Sequence, residues 1–240
     1  MAAPTAPRHS DRIRPLDALR AMRGLLANPD DTALVFEIIE ALSGRTRTKV
    51  FDRFVRTESG QRLLTTRPNL LAQLTDRESL LALPPGTLGR TYGEFMSREQ
   101  ISADGLVDAS EDWLREDLSA ERRWFADRLR DTHDLWHVVT GYGRDLIGEA
   151  SLLAFTYAQT GNPGIGFIVA VAYLKARGIN RPARRLLRDG YRRGRRAAWL
   201  PGVEWEALLA QPLARVREQL GVGDPPVYEA VRSEGAPALA

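Results

Sequence analysis

Apolar residues recur at three- and four-residue spacing along most of the 240-residue chain, which is the period of an amphipathic α-helix. Alternation of apolar and polar residues, which is typical of half-buried strands, is nearly absent. The spacing predicts helices over residues 16–26, 32–42, 49–64, 119–139, 144–160, 164–177, 181–200 and 213–220, with one or two short helices over 68–83. The sequence therefore predicts an all-α protein with a single compact multi-helix domain.

Three segments depart from this helical pattern. Residues 1–14 are rich in Ala, Pro and Arg without an apolar core, so they predict a flexible lead-in rather than a secretory signal. Residues 223–240 predict a tail, which leaves residues 15–222 as the helical domain. Residues 83–92 begin Leu-Pro-Pro-Gly, and we expect an ordered loop there because proline cannot continue a regular helix.

The longest run without a charge covers residues 150–174 and is long enough to cross a bilayer. Its centre, residues 159–164, reads Gln-Thr-Gly-Asn-Pro-Gly and is a turn signal, so we predict two shorter apolar helices and no transmembrane helix. Gly161, Gly164 and Gly166 could leave room for an isoprenoid chain along this hairpin. A buried helical hairpin without a ligand is the alternative interpretation.

Composition limits the chemistry. The chain has no cysteine and three histidines, which excludes disulfides, thiolate metal sites and a cysteine nucleophile. Any metal must therefore be held by nitrogen and oxygen ligands.

Charge is concentrated in one segment. Nine arginines and one acid, Asp189, lie between Arg177 and Arg196, while the whole chain carries a net charge of +3. This basic segment indicates an anionic partner such as a phosphate, a lipid headgroup or a nucleic acid, or else a solvated helix face. With Leu186, Leu187 and Trp199 as apolar anchors, it would suit a helix lying on an anionic membrane.

The clearest chemical signal is a pair of histidines, His133 and His137, on one face of a predicted helix. Asp134 adjoins this face, and Glu149 lies on the next predicted helix. Two His and two carboxylates from adjacent helices would suit Zn²⁺, Fe²⁺ or Mn²⁺. The alternative is a core His pair hydrogen-bonded to the two carboxylates without metal. A metalloprotease is disfavoured, because Asp134 is one methylene shorter than the Glu of the His-Glu-x-x-His motif and no strand pattern accompanies it.

These residues form the sequence His-Asp-x-x-His, eleven further residues, and Glu. Residues 83–92, 190–200 and 203–213 flank the motif in the order expected for one family. Over residues 15–222 the chain resembles the coenzyme Q (ubiquinone) biosynthesis proteins of the "Coq-four" type. The resemblance implies a helical, membrane-associated protein with zinc or iron beside a cleft for a polyprenyl lipid. The implied metal ligands are His133, Asp134, His137 and Glu149.

The resemblance leaves two functions open. One is oxidative decarboxylation of a prenylated hydroxybenzoate, which replaces the ring carboxylate with a hydroxyl group. The other is a non-catalytic, lipid-binding scaffold that organises the quinone-biosynthesis enzymes. The implied partners are an isoprenoid lipid, the membrane surface and other quinone-biosynthesis proteins, and a homodimer is left open. Since an Ala/Pro lead-in stands where eukaryotic members have a presequence, we expect a cytoplasmic protein on the inner face of a bacterial membrane. A basic nucleic-acid binder is the third hypothesis, but no recognised binding motif supports it, and we expect no nucleic-acid partner.

Overall fold

The computed structural model describes residues 12–101, 118–177 and 181–231, and within these ranges the chain forms helices without a strand. The α-helices are α1 (Pro15–Ala27), α2 (Thr32–Ser43), α3 (Thr46–Val55), α4 (Glu58–Thr66), α5 (Leu70–Thr75), α6 (Arg77–Ala82), α7 (Leu88–Arg98), α8 (Ala120–Asp131), α9 (His133–Thr140), α10 (Leu146–Thr160), α11 (Pro163–Lys175), α12 (Arg181–Arg196) and α13 (Leu213–Leu220). Two short 3-10 helices, Leu200–Gly202 and Trp205–Ala207, join α12 to α13. The predicted all-α architecture is confirmed.

Hydroxyl groups of threonine explain two places where the helices differ from the prediction. The helix predicted over residues 49–64 is divided, because the Thr57 hydroxyl accepts the Gly60 amide at 3.0 Å and begins α4. The loop predicted over residues 83–92 is wrong from residue 88 onward. The Thr87 hydroxyl accepts the Arg90 amide at 3.4 Å and begins α7 directly after the Pro-Pro-Gly turn. A third difference is a break at Thr132, which divides residues 119–139 into α8 and α9.

The helices bury three groups of apolar side chains. The largest group joins α5–α7 to α9, α10, α12, α13 and the two 3-10 helices. A second group joins α1, α2 and α11, and a third joins α3, α4 and α8. Helix α9 belongs to the largest group, and every residue from Asp134 to Thr140 is buried. The two histidines are therefore carried by a central helix.

The buried carboxyl end of α9 receives donors from two arginines. Arg217 donates from Nε to the Val139 carbonyl at 2.9 Å and from Nη2 to the Val138 carbonyl at 3.0 Å. Arg193 donates from Nη2 to the Thr140 carbonyl at 2.8 Å. The last carbonyls of a helix have no partner within the helix, and cations near them are favoured by the helix dipole. The two arginines thus fix the end of α9 without exposing it to water.

Helices α10 and α12 approach each other through two glycines. A Cβ atom at Gly190 would lie 2.4 Å from the Ser151 carbonyl oxygen, and one at Gly194 would lie 2.5 Å from that of Phe155. Leu186 and Leu187 are buried on the same helix. The prediction that these two leucines anchor the basic segment in a membrane is therefore wrong, because they belong to the protein interior.

The uncharged run forms the predicted hairpin of two helices, α10 and α11. Gly161 takes the left-handed conformation (φ 66°) that ends α10, and the Asn162 side chain accepts the Gly164 amide at 2.8 Å to begin α11. None of the helices in the described ranges combines the length and the apolar character needed to cross a bilayer.

Candidate metal centre

Three of the four predicted ligands come together at the junction of α9 and α10. His133 and His137 lie one turn apart on α9, and Glu149 lies in the first turn of α10. One ligand-type atom from each of the three side chains lies within 4.8 Å of the other two. We call these three residues the ligand cluster.

The start of α10 is fixed by a side-chain cap, and this cap sets the position of Glu149. The Asp145 carboxylate accepts the amides of Ile147 and Gly148, both at 3.1 Å. Tyr228 donates its hydroxyl to the same carboxylate at 2.6 Å, and the Val231 carbonyl accepts the Leu146 amide at 2.8 Å. The described part of the predicted tail therefore packs against the entrance to α10.

His137 has the orientation typical of a metal-binding histidine, with one ring nitrogen on a backbone carbonyl and the other facing the ligand cluster. Its Nδ1 lies 2.9 Å from the Tyr142 carbonyl oxygen, which can only accept, so Nδ1 carries the proton. Its Nε2 lies 3.4 Å from Glu149 Oε1 and is buried without a hydrogen-bond partner in the described part of the chain. A buried ring nitrogen that has no hydrogen-bond partner and faces a carboxylate suits a divalent cation, so the residues present fit a metal ion.

Asp134 lies beside the ligand cluster rather than in it. It is buried, and its Oδ1 lies 3.4 Å from Nδ1 of His133. A carboxylate that accepts from Nδ1 leaves the opposite ring nitrogen, Nε2, available to a metal. This geometry suits Asp134 to orienting His133, while its role as a direct ligand stays a prediction.

The pKa values in the cluster reflect its opposing charges. Burial alone would raise the pKa of Glu149, but the facing His137, with His133 and Arg144, lowers it to about 2. Burial alone would lower the pKa of His137, yet Glu149 and Asp134 together raise it above its ordinary value. The cluster therefore favours a carboxylate at Glu149 and positive charge opposite it, which is the charge pattern that a cation also satisfies.

Two members of the ligand cluster, His133 and Glu149, line a cavity of about 1200 Å³ with a largely apolar lining, and His137 is buried behind them. The α10–α11 hairpin contributes to its wall through residues that include Leu153, Ile168 and Val171. Helices α1 and α2 form further wall, and this contribution was not predicted. The glycine expectation is wrong, since none of the three predicted glycines is a lining residue. Gly164 instead lies against the α2 backbone, where a Cβ would be 2.6 Å from Ile39 Cα, and Gly166 lies against Tyr157.

Two residues near the cluster were not singled out from the sequence. The Tyr142 carbonyl orients His137, but a backbone acceptor leaves no side-chain signal in a sequence. Arg144 lies 3.8 Å from Glu149 Oε1 through its Nε and lines the cavity. Arg144 lies outside the helix that carries Glu149, so no helical spacing in the sequence indicates the contact.

Comparison with known proteins assigns the family. The family model described as "Coenzyme Q (ubiquinone) biosynthesis protein Coq4" matches residues 15–226. The chain belongs to this family. The match includes the whole ligand cluster and both arginines that hold the end of α9.

Curated Coq4 relatives are similar over most of this chain. The mitochondrial ubiquinone biosynthesis protein of Paracoccidioides lutzii is 31% identical over 215 residues, which are 87% of this chain and 72% of that protein. The Neurospora crassa protein is 30% identical over 82% of this chain and 57% of its own length. The Rattus norvegicus homologue is 28% identical over 85% and 76% respectively. The chain thus spans between 57% and 76% of these three relatives, all of which are named as mitochondrial.

A solved structure supports the fold. The crystal structure of a Nostoc punctiforme protein assigned to ubiquinone biosynthesis superposes with a TM-score of 0.61 at 22% identity. The superposition covers 88% of this chain and 100% of the other. The helical architecture around the cavity therefore also occurs in a bacterial protein.

Proposed function

We propose that this Coq4-family protein binds one divalent metal ion through His133, His137 and Glu149 and acts on a prenylated hydroxybenzoate during ubiquinone biosynthesis. The observation that carries the proposal is that the ligand cluster meets a large apolar cavity through His133 and Glu149, which line its wall. A prenylated aromatic acid has one polar end and one long apolar end. The ligand cluster would bind the polar end, and the apolar cavity would hold the long apolar end.

The chain's own residues supply binding and orientation. His137 is fixed by the Tyr142 carbonyl, and Asp134 faces Nδ1 of His133. Zinc and iron both accept this set of nitrogen and oxygen ligands. When bound, either ion would supply positive charge beside the substrate carboxylate, and iron would also supply redox chemistry. The apolar wall, including Leu153 and Ile168, would hold the prenyl chain away from water.

The reaction we favour breaks the bond between the ring carbon and its carboxylate, releases carbon dioxide and forms a ring carbon–hydroxyl bond. Dioxygen would supply the hydroxyl oxygen, and an external two-electron donor would reduce the second oxygen atom to water. The second function is a scaffold that binds the same lipid and organises other quinone-biosynthesis proteins without catalysis. Both functions use the same cavity, but only catalysis requires the metal ion. They differ in whether the bound lipid is converted.

A membrane is the source of so apolar a substrate, and we propose peripheral association with it. The outer face of α1 supports this partner, because Leu16 is 74% exposed and Leu19 is 43% exposed beside Arg20 and Arg23. Leucines flanked by arginines suit a helix lying at an anionic bilayer surface. On α12, in contrast, the two leucines are buried.

Blocking the cavity is expected to exclude lipid. The double substitution Leu153→Trp and Val171→Trp places two large rings in the cavity wall. The fraction of protein that carries a bound isoprenoid or detergent in native mass spectrometry should therefore fall severalfold. Leu174→Trp is the matched control, since Leu174 lies on the same hairpin, is exposed and is not a lining residue. Equal lipid recovery from both variants would show that the cavity is not the lipid site.

A gene deletion tests the function itself. Loss of the gene should lower ubiquinone and accumulate an intermediate that retains the ring carboxylate. The intact protein should reverse the accumulation. Glu149→Gln, which keeps the side-chain shape but removes its negative charge, should not reverse it if the protein is the catalyst. Normal quinone profiles in the deletion strain would exclude the pathway. Rescue by a metal-free Glu149→Gln protein would instead favour the scaffold.

A further inference from the structure

Arg144 is a cation that the proposed metal site does not use. It directly precedes Asp145, the residue that caps α10. Its side chain is 35% exposed and lines the cavity. In the described ranges it is the arginine ion-paired with the ligand cluster, and this contact is a long one of 3.8 Å from Nε to Glu149 Oε1. The guanidinium therefore lies beside the ligand cluster, and its ion pair with Glu149 is a long one.

Two other arginines in the cavity wall, Arg130 and Arg122, have closer partners than Arg144 has. Arg130 pairs with Asp131 at 2.9 Å and with Asp127 at 3.2 Å. Arg122 donates to the Thr48 hydroxyl at 3.1 Å and lies over the ring of Phe51. Arg130 is paired within α8 and Arg122 joins α8 to α3, whereas Arg144 lies beside the cluster at the cavity wall.

The charges in and beside the metal-bound ligand cluster indicate what charge a bound ligand should carry. Asp134 and Glu149 contribute two negative charges, while Arg144 and a divalent ion contribute three positive charges, with both imidazoles neutral. One positive charge is left over. Beside an apolar cavity an unbalanced charge is costly, and a single anionic group would neutralise it. A dianion such as a phosphate would leave one negative charge in excess.

We propose that Arg144 is a specificity-determining residue that binds the carboxylate of a long-chain or prenylated acid at the polar end of the cavity. The inference rests on the proposed function. It adds that Arg144 selects the head group and that this head group carries a single negative charge. A planar guanidinium offers two parallel N–H donors to a carboxylate, which gives orientation as well as affinity.

Three probes that share one alkyl chain test the assignment: a dodecyl-substituted hydroxybenzoate, the matching dodecylphenol, and dodecyl phosphate. Each is titrated into metal-loaded protein by calorimetry. The wild type should bind the benzoate about tenfold or more tightly than the phenol, because a hydrogen bond to a charged group is worth roughly 1.5–3 kcal/mol. Arg144→Gln should lower this preference about tenfold, to the part that the metal ion supplies, while phenol binding changes little. Arg144→Lys, which keeps the charge but not the fork of donors, should retain part of it.

The controls separate the failures. Arg122→Gln removes a cation from the same cavity wall about three turns before His133, and it should leave the benzoate preference intact. Equal binding of benzoate and phenol by the wild type would overturn the role of Arg144 while leaving the lipid cavity standing. Tighter binding of dodecyl phosphate than of the benzoate would overturn the single-charge assignment. If no probe binds, both this inference and the proposed function are wrong. Circular dichroism of Arg144→Gln checks that its helices are intact.

Discussion

His137→Ala is expected to abolish stable metal binding. The substitution removes a buried nitrogen that faces Glu149 at 3.4 Å and is one of the three ligand atoms of the cluster. Loss of a residue that only orients a ligand costs roughly 10–100-fold in metal affinity, so loss of the ligand itself should cost more than about 100-fold. The measurements are metal content after purification and competition with a chelator of known affinity.

Asp134→Asn provides the graded comparison. The amide can still contact Nδ1 of His133 through its oxygen, so we expect metal affinity to fall within the 10–100-fold range of an orienting residue. Glu94→Gln, on the exposed face of α7, is the matched control for removal of an acid and should leave metal content unchanged. A larger loss for Asp134→Asn than for His137→Ala would reverse the assigned roles. Full metal content in His137→Ala would disprove the site.

Alanine at Gly194 is expected to destabilise the protein even though it should improve the helix. By intrinsic propensity, Ala is favoured over Gly within a helix by about 1 kcal/mol. At this position, however, the new Cβ would lie 2.5 Å from the Phe155 carbonyl oxygen, a backbone atom that cannot rotate away. Separating α10 from α12 should outweigh the gain and lower the free energy of unfolding by about 2 kcal/mol. Adding Gly190→Ala should lower it further but by less than about another 2 kcal/mol, because both contacts lie on one interface and a single separation of the helices relieves both.

Urea unfolding followed by circular dichroism measures this change, with the slope of the transition as a check on two-state behaviour. Arg192→Ala is the control on the exposed side of the same helix and should change the free energy of unfolding by less than about 0.5 kcal/mol. Stabilisation by Gly194→Ala would mean that the two helices can move apart without cost.

The sequence predicted the helices well because their apolar spacing is local information. Thr32–Ser43 and Leu213–Leu220 lie within one residue of their predicted bounds. The histidine spacing also correctly placed His133 and His137 on one helix, facing Glu149 on the next. The loop predicted over residues 83–92 is wrong after Thr87, because two prolines indicate a loop while the hydroxyl of the following Thr87 caps a helix.

Features that depend on distant partners were beyond the sequence. Gly190 and Gly194 are weak helix positions until Ser151 and Phe155 are known to lie against them. The burial of Leu186 and Leu187 likewise depends on where α12 packs, which a dense run of arginines obscures. For the same reason the cavity wall formed by α1 and α2 was not predicted, since residues more than 100 positions apart meet there.

The arginine donors at the end of α9 have a consequence for the newly made chain. The carbonyls of Thr140 and Val139 receive their donors from residues that are translated 53 and 78 positions later. Until α12 and α13 have left the ribosome, the carboxyl end of the histidine-bearing helix cannot be buried with its carbonyls paired. Metal loading should accordingly follow the synthesis of α12 and α13 rather than precede it.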